Sequence, residues 1–126
     1  MTHILVIEDE VKLARSLELE LNYQGYEVSV AYDGLTAMIA TQKLPLDLII
    51  LDWMIPTLSD GEICRRLRSH AHNIPIILLA TQEKLSDRHV EVGADDFVCK
   101  PFDIEELLAK VYTHLHRTQQ VDAVDK

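Results

Sequence analysis

Apolar residues are concentrated in five short runs, and helical spacing dominates the stretches between them. The runs at residues 3–7, 46–51 and 74–80 are almost uniformly apolar, which is typical of strands buried on both faces. Residues 26–32 alternate between polar and apolar side chains, which indicates a half-exposed edge strand. Residues 97–99 form a short fifth run. The pattern therefore predicts three central strands and two edge strands.

Five helices are predicted between and after these strands. The first carries leucines at positions 13, 17 and 21. The second covers residues 35–43, and Pro45 prevents it from continuing. The third has Ile63, Cys64 and Leu67 along one stripe, with Arg65, Arg66 and Arg68 outside it. Residues 84–92 form a weaker helix, and the last helix has an apolar stripe between residues 104 and 115. Residues 1–118 are expected to form one domain, and residues 119–126 a polar tail or linker stub.

Strands and helices alternate along the whole chain, which predicts an α/β fold with a doubly wound parallel sheet. The uniformly apolar strands belong in the middle of the sheet, and the alternating or short strands belong at its edges. This placement gives the flavodoxin-like strand order 2-1-3-4-5 with five helices. The right-handed crossover rule then leaves one topology.

Composition narrows the class of protein further. The 126 residues are 48% hydrophobic and 26% charged, as in ordinary globular domains, and the net charge of −9 argues against nucleic-acid binding by these residues. No apolar run approaches the length of a membrane span, and no secretory leader is recognisable. Cys64 and Cys99 match no metal or redox spacing, so we expect reduced cysteines and a cytoplasmic domain without membrane contact.

Four charged residues follow strands whose carboxyl ends share one edge of the predicted sheet. Glu8 and Asp9 follow the first strand, Asp52 ends the third and Lys100 ends the fifth. Three carboxylates about 5 Å apart repel by roughly 3 kcal/mol per pair at an effective dielectric of 20, and a hard divalent cation relieves that repulsion. The sequence therefore predicts a Mg²⁺ site, which the backbone carbonyl of Met54 is placed to complete.

A carboxylate beside Mg²⁺ and a lysine is equipped to attack phosphorus and to hold an aspartyl-phosphate. Taken singly, each acidic residue is more often a solvated loop residue. An acidic pair, a strand-end aspartate and a strand-end Lys-Pro on the expected strands of one fold are much harder to explain in that way.

These residues resemble the receiver domain of two-component response regulators over residues 4–117. The matching motifs are ILVIEDE at residues 4–10, DLIILDWMIP at residues 47–56 and GADDFVCKPF at residues 93–102. The resemblance implies a Mg²⁺-dependent phosphoacceptor with a sensor histidine kinase as the donor, which is not an enzyme and catalyses at most its own dephosphorylation. It also implies the following roles: Asp52 accepts the phosphoryl group, Asp9 binds Mg²⁺ directly and Glu8 through water, Lys100 contacts the phosphoryl group, Pro101 follows a cis bond and Phe97 is the switch aromatic.

The motif GADDF and the last helix resemble the branch that carries a carboxy-terminal winged-helix DNA-binding domain. The resemblance implies a transcription regulator that contacts DNA only through such a further domain. It also implies a homodimer through the predicted helix at residues 84–92, the fifth strand and the last helix. The charged positions of that face are Asp95, Asp96, Glu106, Lys110 and Arg117. The alternative reading is that these are ordinary solvated charges, since surface ion pairs contribute only about 0–1 kcal/mol each.

The end of the fourth strand departs from the family pattern. The family has Thr or Ser followed by Ala, whereas this chain has Ala80 followed by Thr81. Thr81 is expected to replace the missing hydroxyl only if the backbone shifts register or the loop folds differently. The stretch from Ala80 to Gly93 is also about two residues shorter than is usual in this branch. We therefore expect phosphoryl chemistry on Asp52 with weakened or atypical switching.

Three other functions fit parts of the pattern. A phosphorylation-independent dimerisation module agrees with Ala80 but leaves the intact acidic pair and Lys100 unexplained. A small Mg²⁺-dependent phosphohydrolase generally has a second acid two residues after its nucleophile, where this chain has Met54. A flavin-binding module needs a phosphate-binding loop after the first strand, where three successive acids would repel the phosphate.

Overall fold

Five parallel strands form the sheet of this protein. The computed structural model describes residues 1–54, 62–71, 73–81 and 93–124, with side chains as far as residue 116. The strand order β2-β1-β3-β4-β5 is the predicted one, and all neighbouring strands are parallel. The strands are β1 (His3–Ile7), β2 (Glu27–Ala31), β3 (Leu48–Asp52), β4 (Ile76–Thr81) and β5 (Asp96–Lys100).

Four helices lie in the described part of the chain. They are α1 (Val11–Tyr23), α2 (Gly34–Lys43), α3 (Glu62–His70) and α4 (Ile104–Val124). The predicted helix at residues 84–92 lies outside the described residues, so the predicted total of five stays a prediction. None of the helices in the described ranges is long and apolar enough to cross a membrane.

The last helix is longer than predicted. The tail expected at residues 119–126 is helical as far as Val124. Its residues lack a periodic apolar stripe, but no glycine or proline follows Pro101, so nothing in the local sequence ends the helix. The division of the chain into a domain and a linker stays a prediction.

The helices cover the two faces of the sheet in pairs, as a doubly wound fold requires. On one face, called the α1–α4 face, alternate strand residues pack against α1 and α4. The residues of this core are Ile4, Val6, Leu17, Leu21, Leu48, Ile50, Ile77, Leu79, Val98, Leu107 and Val111. On the opposite face, called the α2–α3 face, the other strand residues pack against α2 and α3. This second core includes Leu5, Ile7, Ala37, Ile49, Leu51, Trp53, Ile63, Cys64, Leu67, Ile76, Leu78 and Ala80.

Local capping signals explain where α1 ends and where α2 begins. Gly25 follows α1 with φ +95°, a left-handed conformation that glycine adopts without steric cost. Asp33 precedes α2, and its Oδ1 accepts a hydrogen bond of 2.8 Å from the Thr36 amide. Between these caps lies β2, which among the described strands pairs only with β1 and is the edge strand that its alternating pattern predicts.

Arg68 connects the end of α3 to a segment that is distant in sequence. It lies off the apolar stripe of α3, as predicted, but its guanidinium is only partly exposed and donates to three backbone carbonyls: Gly93 at 2.9 Å, Ala71 at 2.9 Å and Ile74 at 2.8 Å. Its Nη2 also lies 2.6 Å from Asp95 Oδ2. Arg68 therefore fixes the segment before β5 to the end of α3.

Candidate functional site

Three carboxylates meet at the carboxyl edge of the sheet. The pairing of Ile7 with Leu51 brings the residues after β1 beside Asp52, the last residue of β3. Oxygen atoms of Glu8, Asp9 and Asp52 all lie within 4.8 Å of one another. Glu8 is 1% exposed and Asp52 is 3% exposed, whereas Asp9 is open to solvent. The predicted convergence of these three residues is present in the structure.

Lys100 supplies the positive charge of this cluster. It ends β5, and its Nζ reaches across β4 to lie 3.2 Å from Asp52 Oδ2 and 3.8 Å from Glu8 Oε1. One ammonium therefore contacts two of the three carboxyl groups, and the cluster keeps an excess of negative charge. The peptide bond between Lys100 and Pro101 is cis.

Backbone amides hold the two buried carboxylates in place. The Met54 amide donates to Asp52 Oδ1 at 3.1 Å, and the Glu10 amide donates to Glu8 Oε2 at 3.1 Å. The Met54 side chain is exposed in the turn after β3. The role of the Met54 carbonyl as a metal ligand stays a prediction.

The acidic cluster has the chemistry of a divalent-cation site. Burial and the neighbouring Asp52 carboxyl group together raise the pKa of Glu8 to about 8, against the lowering effect of the Glu10 amide and of Lys100. Glu8 Oε1 is buried and receives no hydrogen bond from the described residues. A hard cation with oxygen ligands would satisfy that atom and offset the negative charge, so these residues fit Mg²⁺.

The predicted switch residues lie on different faces of the sheet. Strand β4 keeps a regular register to its end, because Ala80 pairs with Cys99 and Thr81 pairs with Lys100. Ala80 is 1% exposed in the core of the α2–α3 face, and Phe97 packs against the same core. Thr81 is exposed and lies on the opposite face, so the register shift that would place its hydroxyl in the position of Ala80 is absent.

Charges of the predicted dimer face are largely paired within the chain. Asp95 contacts Arg68 and accepts a hydrogen bond of 2.9 Å from the Ile76 amide. Asp96 Oδ1 lies 3.0 Å from Lys110 Nζ. Glu106 is exposed on α4, and the side chain of Arg117 lies outside the described residues. The use of this face in a dimer stays a prediction.

His114 belongs to the same network and was not among the predicted residues. Its imidazole is 8% exposed, and Nε2 lies 2.9 Å from Asp96 Oδ2. Its position was readable from the sequence, because residues 107, 111 and 114 follow the spacing of one buried helical face. No comparable local signal marks Arg68, whose partners Gly93 and Asp95 lie at least 25 residues away.

The sequence model of the family described as "Response regulator receiver domain" matches residues 4–112. The chain belongs to this family.

This receiver domain is similar in sequence to a curated response regulator. It is 44% identical over 127 residues to the response regulator ArlR of Staphylococcus aureus strain COL. That match covers 99% of this chain and 58% of ArlR, so the chain spans little more than half the length of this curated relative.

Solved structures share the fold of the receiver domain over nearly its whole length. The response regulator TrrA from Thermotoga maritima, in complex with Mg(2+)-BeF, is 34% identical with a TM-score of 0.83, covering 91% of this chain and 100% of TrrA. The Francisella response regulator 1452 receiver domain is 30% identical with a TM-score of 0.83, covering 94% of this chain and 99% of that one.

Proposed function

We propose that the receiver domain accepts a phosphoryl group on Asp52 from a phosphohistidine of a sensor histidine kinase, in a Mg²⁺-dependent reaction in the cytoplasm. One observation carries this proposal: a buried carboxylate at the end of a central strand lies between two further carboxylates and an ammonium group. This combination is suited to binding a cation and a phosphoryl group together.

The transfer is a displacement at phosphorus. A carboxylate oxygen of Asp52 forms a bond to phosphorus while the phosphorus–nitrogen bond of the donor breaks, and the imidazole nitrogen retains the electron pair. The Met54 amide holds Asp52 Oδ1 in place at 3.1 Å. Lys100, 3.2 Å from Asp52 Oδ2, neutralises charge on the transferred oxygens.

The acidic residues would bind the metal ion. Asp9 and Asp52 would bind Mg²⁺ directly, Glu8 would act through a water molecule, and the Met54 carbonyl would complete the protein ligands. The metal contributes neutralisation of the developing phosphoryl charge. The fit is supported by the oxygen-only donor set and by the buried Glu8 oxygen that receives no hydrogen bond from the described residues.

The proposed output is transcription, through a carboxy-terminal DNA-binding domain attached to this one. The similarity to ArlR supports this output, since the match covers 58% of ArlR and leaves room in that protein for further domains. Homodimerisation through the predicted helix at residues 84–92, β5 and α4 would convey the signal, with Asp95, Asp96, Glu106, Lys110 and Arg117 as its charged residues. Coupling to this face is expected to be weakened, because Ala80 provides no hydroxyl.

The test is phosphorylation with acetyl phosphate or phosphoramidate, with and without Mg²⁺, read by intact mass and by size exclusion. We expect one added phosphate that requires Mg²⁺ and is lost in Asp52→Asn. The control variant Asp103→Asn removes an exposed aspartate before α4 and retains the modification. Failure of the wild-type chain to gain phosphate from either donor would contradict the proposal.

A phosphorylation-independent dimerisation module is the second candidate function. The observation that favours it is Ala80, which is buried and carries no donor for a phosphoryl oxygen. It predicts that Asp52→Asn and the wild-type chain form the same dimer with the same dissociation constant. Dimerisation that appears only with the added phosphate would exclude it.

A further inference from the structure

Thr81 and Lys100 lie side by side at the carboxyl edge of the sheet. They are paired residues of β4 and β5, and both line one cavity of about 500 Å³. The other lining residues include Leu13 and Leu17 of α1 and Phe102 before α4, so this cavity opens on the α1–α4 face. The hydroxyl of Thr81 therefore belongs to the same face as the ammonium of Lys100.

Asp52 also lies on this side of its strand. Strand side chains alternate between the faces, and Leu51 belongs to the α2–α3 core while Ile50 belongs to the α1–α4 core. Asp52 pairs with Leu79, so Thr81 stands two residues farther along β4 in the direction in which a phosphoryl group on Asp52 would extend. The contact of 3.2 Å between Lys100 Nζ and Asp52 Oδ2 shows that side chains from this face reach the phosphoacceptor.

A phosphoryl group on Asp52 presents three terminal oxygens that each require a positive or hydrogen-bonding partner. The acidic cluster supplies a metal position for one oxygen, and Lys100 supplies a donor for another. Ala80 cannot serve the third, because its methyl group donates no hydrogen bond. The Thr81 hydroxyl is exposed and makes no hydrogen bond within the described ranges.

We infer that Thr81 donates a hydrogen bond to the phosphoryl group from the side of Lys100, in place of the donor that Ala80 lacks. This inference rests on the proposed function and adds a residue to it. The inference also changes the route by which phosphorylation would be signalled. The phosphoryl group would contact the α1–α4 face, next to Phe102, whereas Phe97 packs on the other face of the sheet.

The test uses beryllofluoride with Mg²⁺ as the phosphoryl probe. Trp53 is the single tryptophan of the chain, is 3% exposed and follows Asp52, so its fluorescence reports binding. We compare the wild-type chain with Thr81→Val, which keeps the shape without the hydroxyl, and with Thr81→Ser, which keeps the hydroxyl. Ser16→Ala is the matched control, because Ser16 is exposed and lines the same cavity.

We expect Thr81→Val to lower the affinity for beryllofluoride by about 10-fold or more, the usual cost of a lost hydrogen bond to a charged group. For Thr81→Ser and Ser16→Ala, we expect the affinity for beryllofluoride to stay within about 3-fold of wild type. The affinity for Mg²⁺ alone should be unchanged in all variants, a result that a merely structural role of Thr81 would not produce. If Thr81→Val binds beryllofluoride with wild-type affinity, or if Ser16→Ala loses as much affinity, the inference is overturned but the proposed function is not. A wild-type chain that neither binds beryllofluoride nor gains phosphate overturns the proposed function as well.

Discussion

The imidazole of His114 lies against the carboxylate of Asp96, with 2.9 Å between Nε2 and Oδ2. The other oxygen of Asp96 receives the Lys110 ammonium at 3.0 Å and the Phe97 amide at 2.8 Å. Partial burial raises the pKa of Asp96, but the three hydrogen bonds outweigh this effect, and the pKa lies below its ordinary value of 3.8. The ionised carboxylate thereby joins α4 to the first residue of β5.

This network predicts a pH-dependent contribution to stability. A lowered folded-state pKa gives stability that is present above the unfolded-state value of 3.8 and is lost as pH falls through the folded-state value. We expect Asp96→Asn to unfold more easily than wild type by about 1–2 kcal/mol at pH 7, allowing for solvent screening. The difference shrinks below about pH 4. Urea unfolding at several pH values measures it, and Glu105→Gln, an exposed carboxylate of α4, is the control.

Arg68 should contribute more to stability than any ordinary surface arginine. Arg68→Ala removes donors from three carbonyls and the partner of Asp95. We expect a loss of about 2–4 kcal/mol in the free energy of unfolding, because partly buried acceptors are left unpaired. Arg66→Ala on the same helix removes only an exposed contact of 3.2 Å with Glu62 and should cost less than about 0.5 kcal/mol. Equal urea midpoints for the two variants would refute this prediction.

Removal of Lys100 should affect metal binding and phosphorylation in opposite directions. The ammonium lies 3.2 Å from Asp52 and 3.8 Å from Glu8, where it repels a cation that binds the same carboxylates. We expect Lys100→Met to bind Mg²⁺ several-fold more tightly, while phosphorylation slows by about 100-fold or more because the transferred charge is no longer neutralised. Calorimetry measures the affinity for Mg²⁺, and intact mass measures the rate of phosphorylation. A parallel loss of metal binding and phosphorylation would indicate that Lys100 mainly maintains the shape of the site.

Cys64 should be inert towards thiolate-directed reagents in the folded chain. It is fully buried, and burial raises the pKa of its thiol to about 11. The thiolate fraction at pH 8 is therefore about 0.1%. We expect labelling of the native Cys99→Ala variant to begin only on unfolding, with one thiol released in denaturant. Rapid labelling of that variant in buffer would contradict the buried position of Cys64.

The strands and the acidic cluster were predictable because their signals are local. Uniform apolar runs identified β1, β3 and β4, and the ends of those strands identified Glu8 and Asp52, since parallel strands end on one edge. The order of the sheet followed from the contrast between uniform and alternating runs.

Features that depend on contacts between distant segments were not predictable in this way. The Gly93 carbonyl and the Asp95 carboxylate lie 25 and 27 residues from Arg68 and meet it only after α3 and β5 are in place. The extension of α4 to Val124 reflects the absence of a helix-ending residue, which is weaker information than an apolar stripe. The position of Thr81 also required the strand register, because a shift of one residue exchanges the two faces of a strand.

Strand β3 has neighbours on both sides, and all five of its residues are buried. Backbone amides in such a position exchange with solvent only when the whole domain unfolds. We therefore expect the segment that carries Asp52 to open last. We expect a phosphoryl group on Asp52 to leave the strand that carries it closed, so hydrogen exchange in β3 should report the free energy of global unfolding before and after phosphorylation.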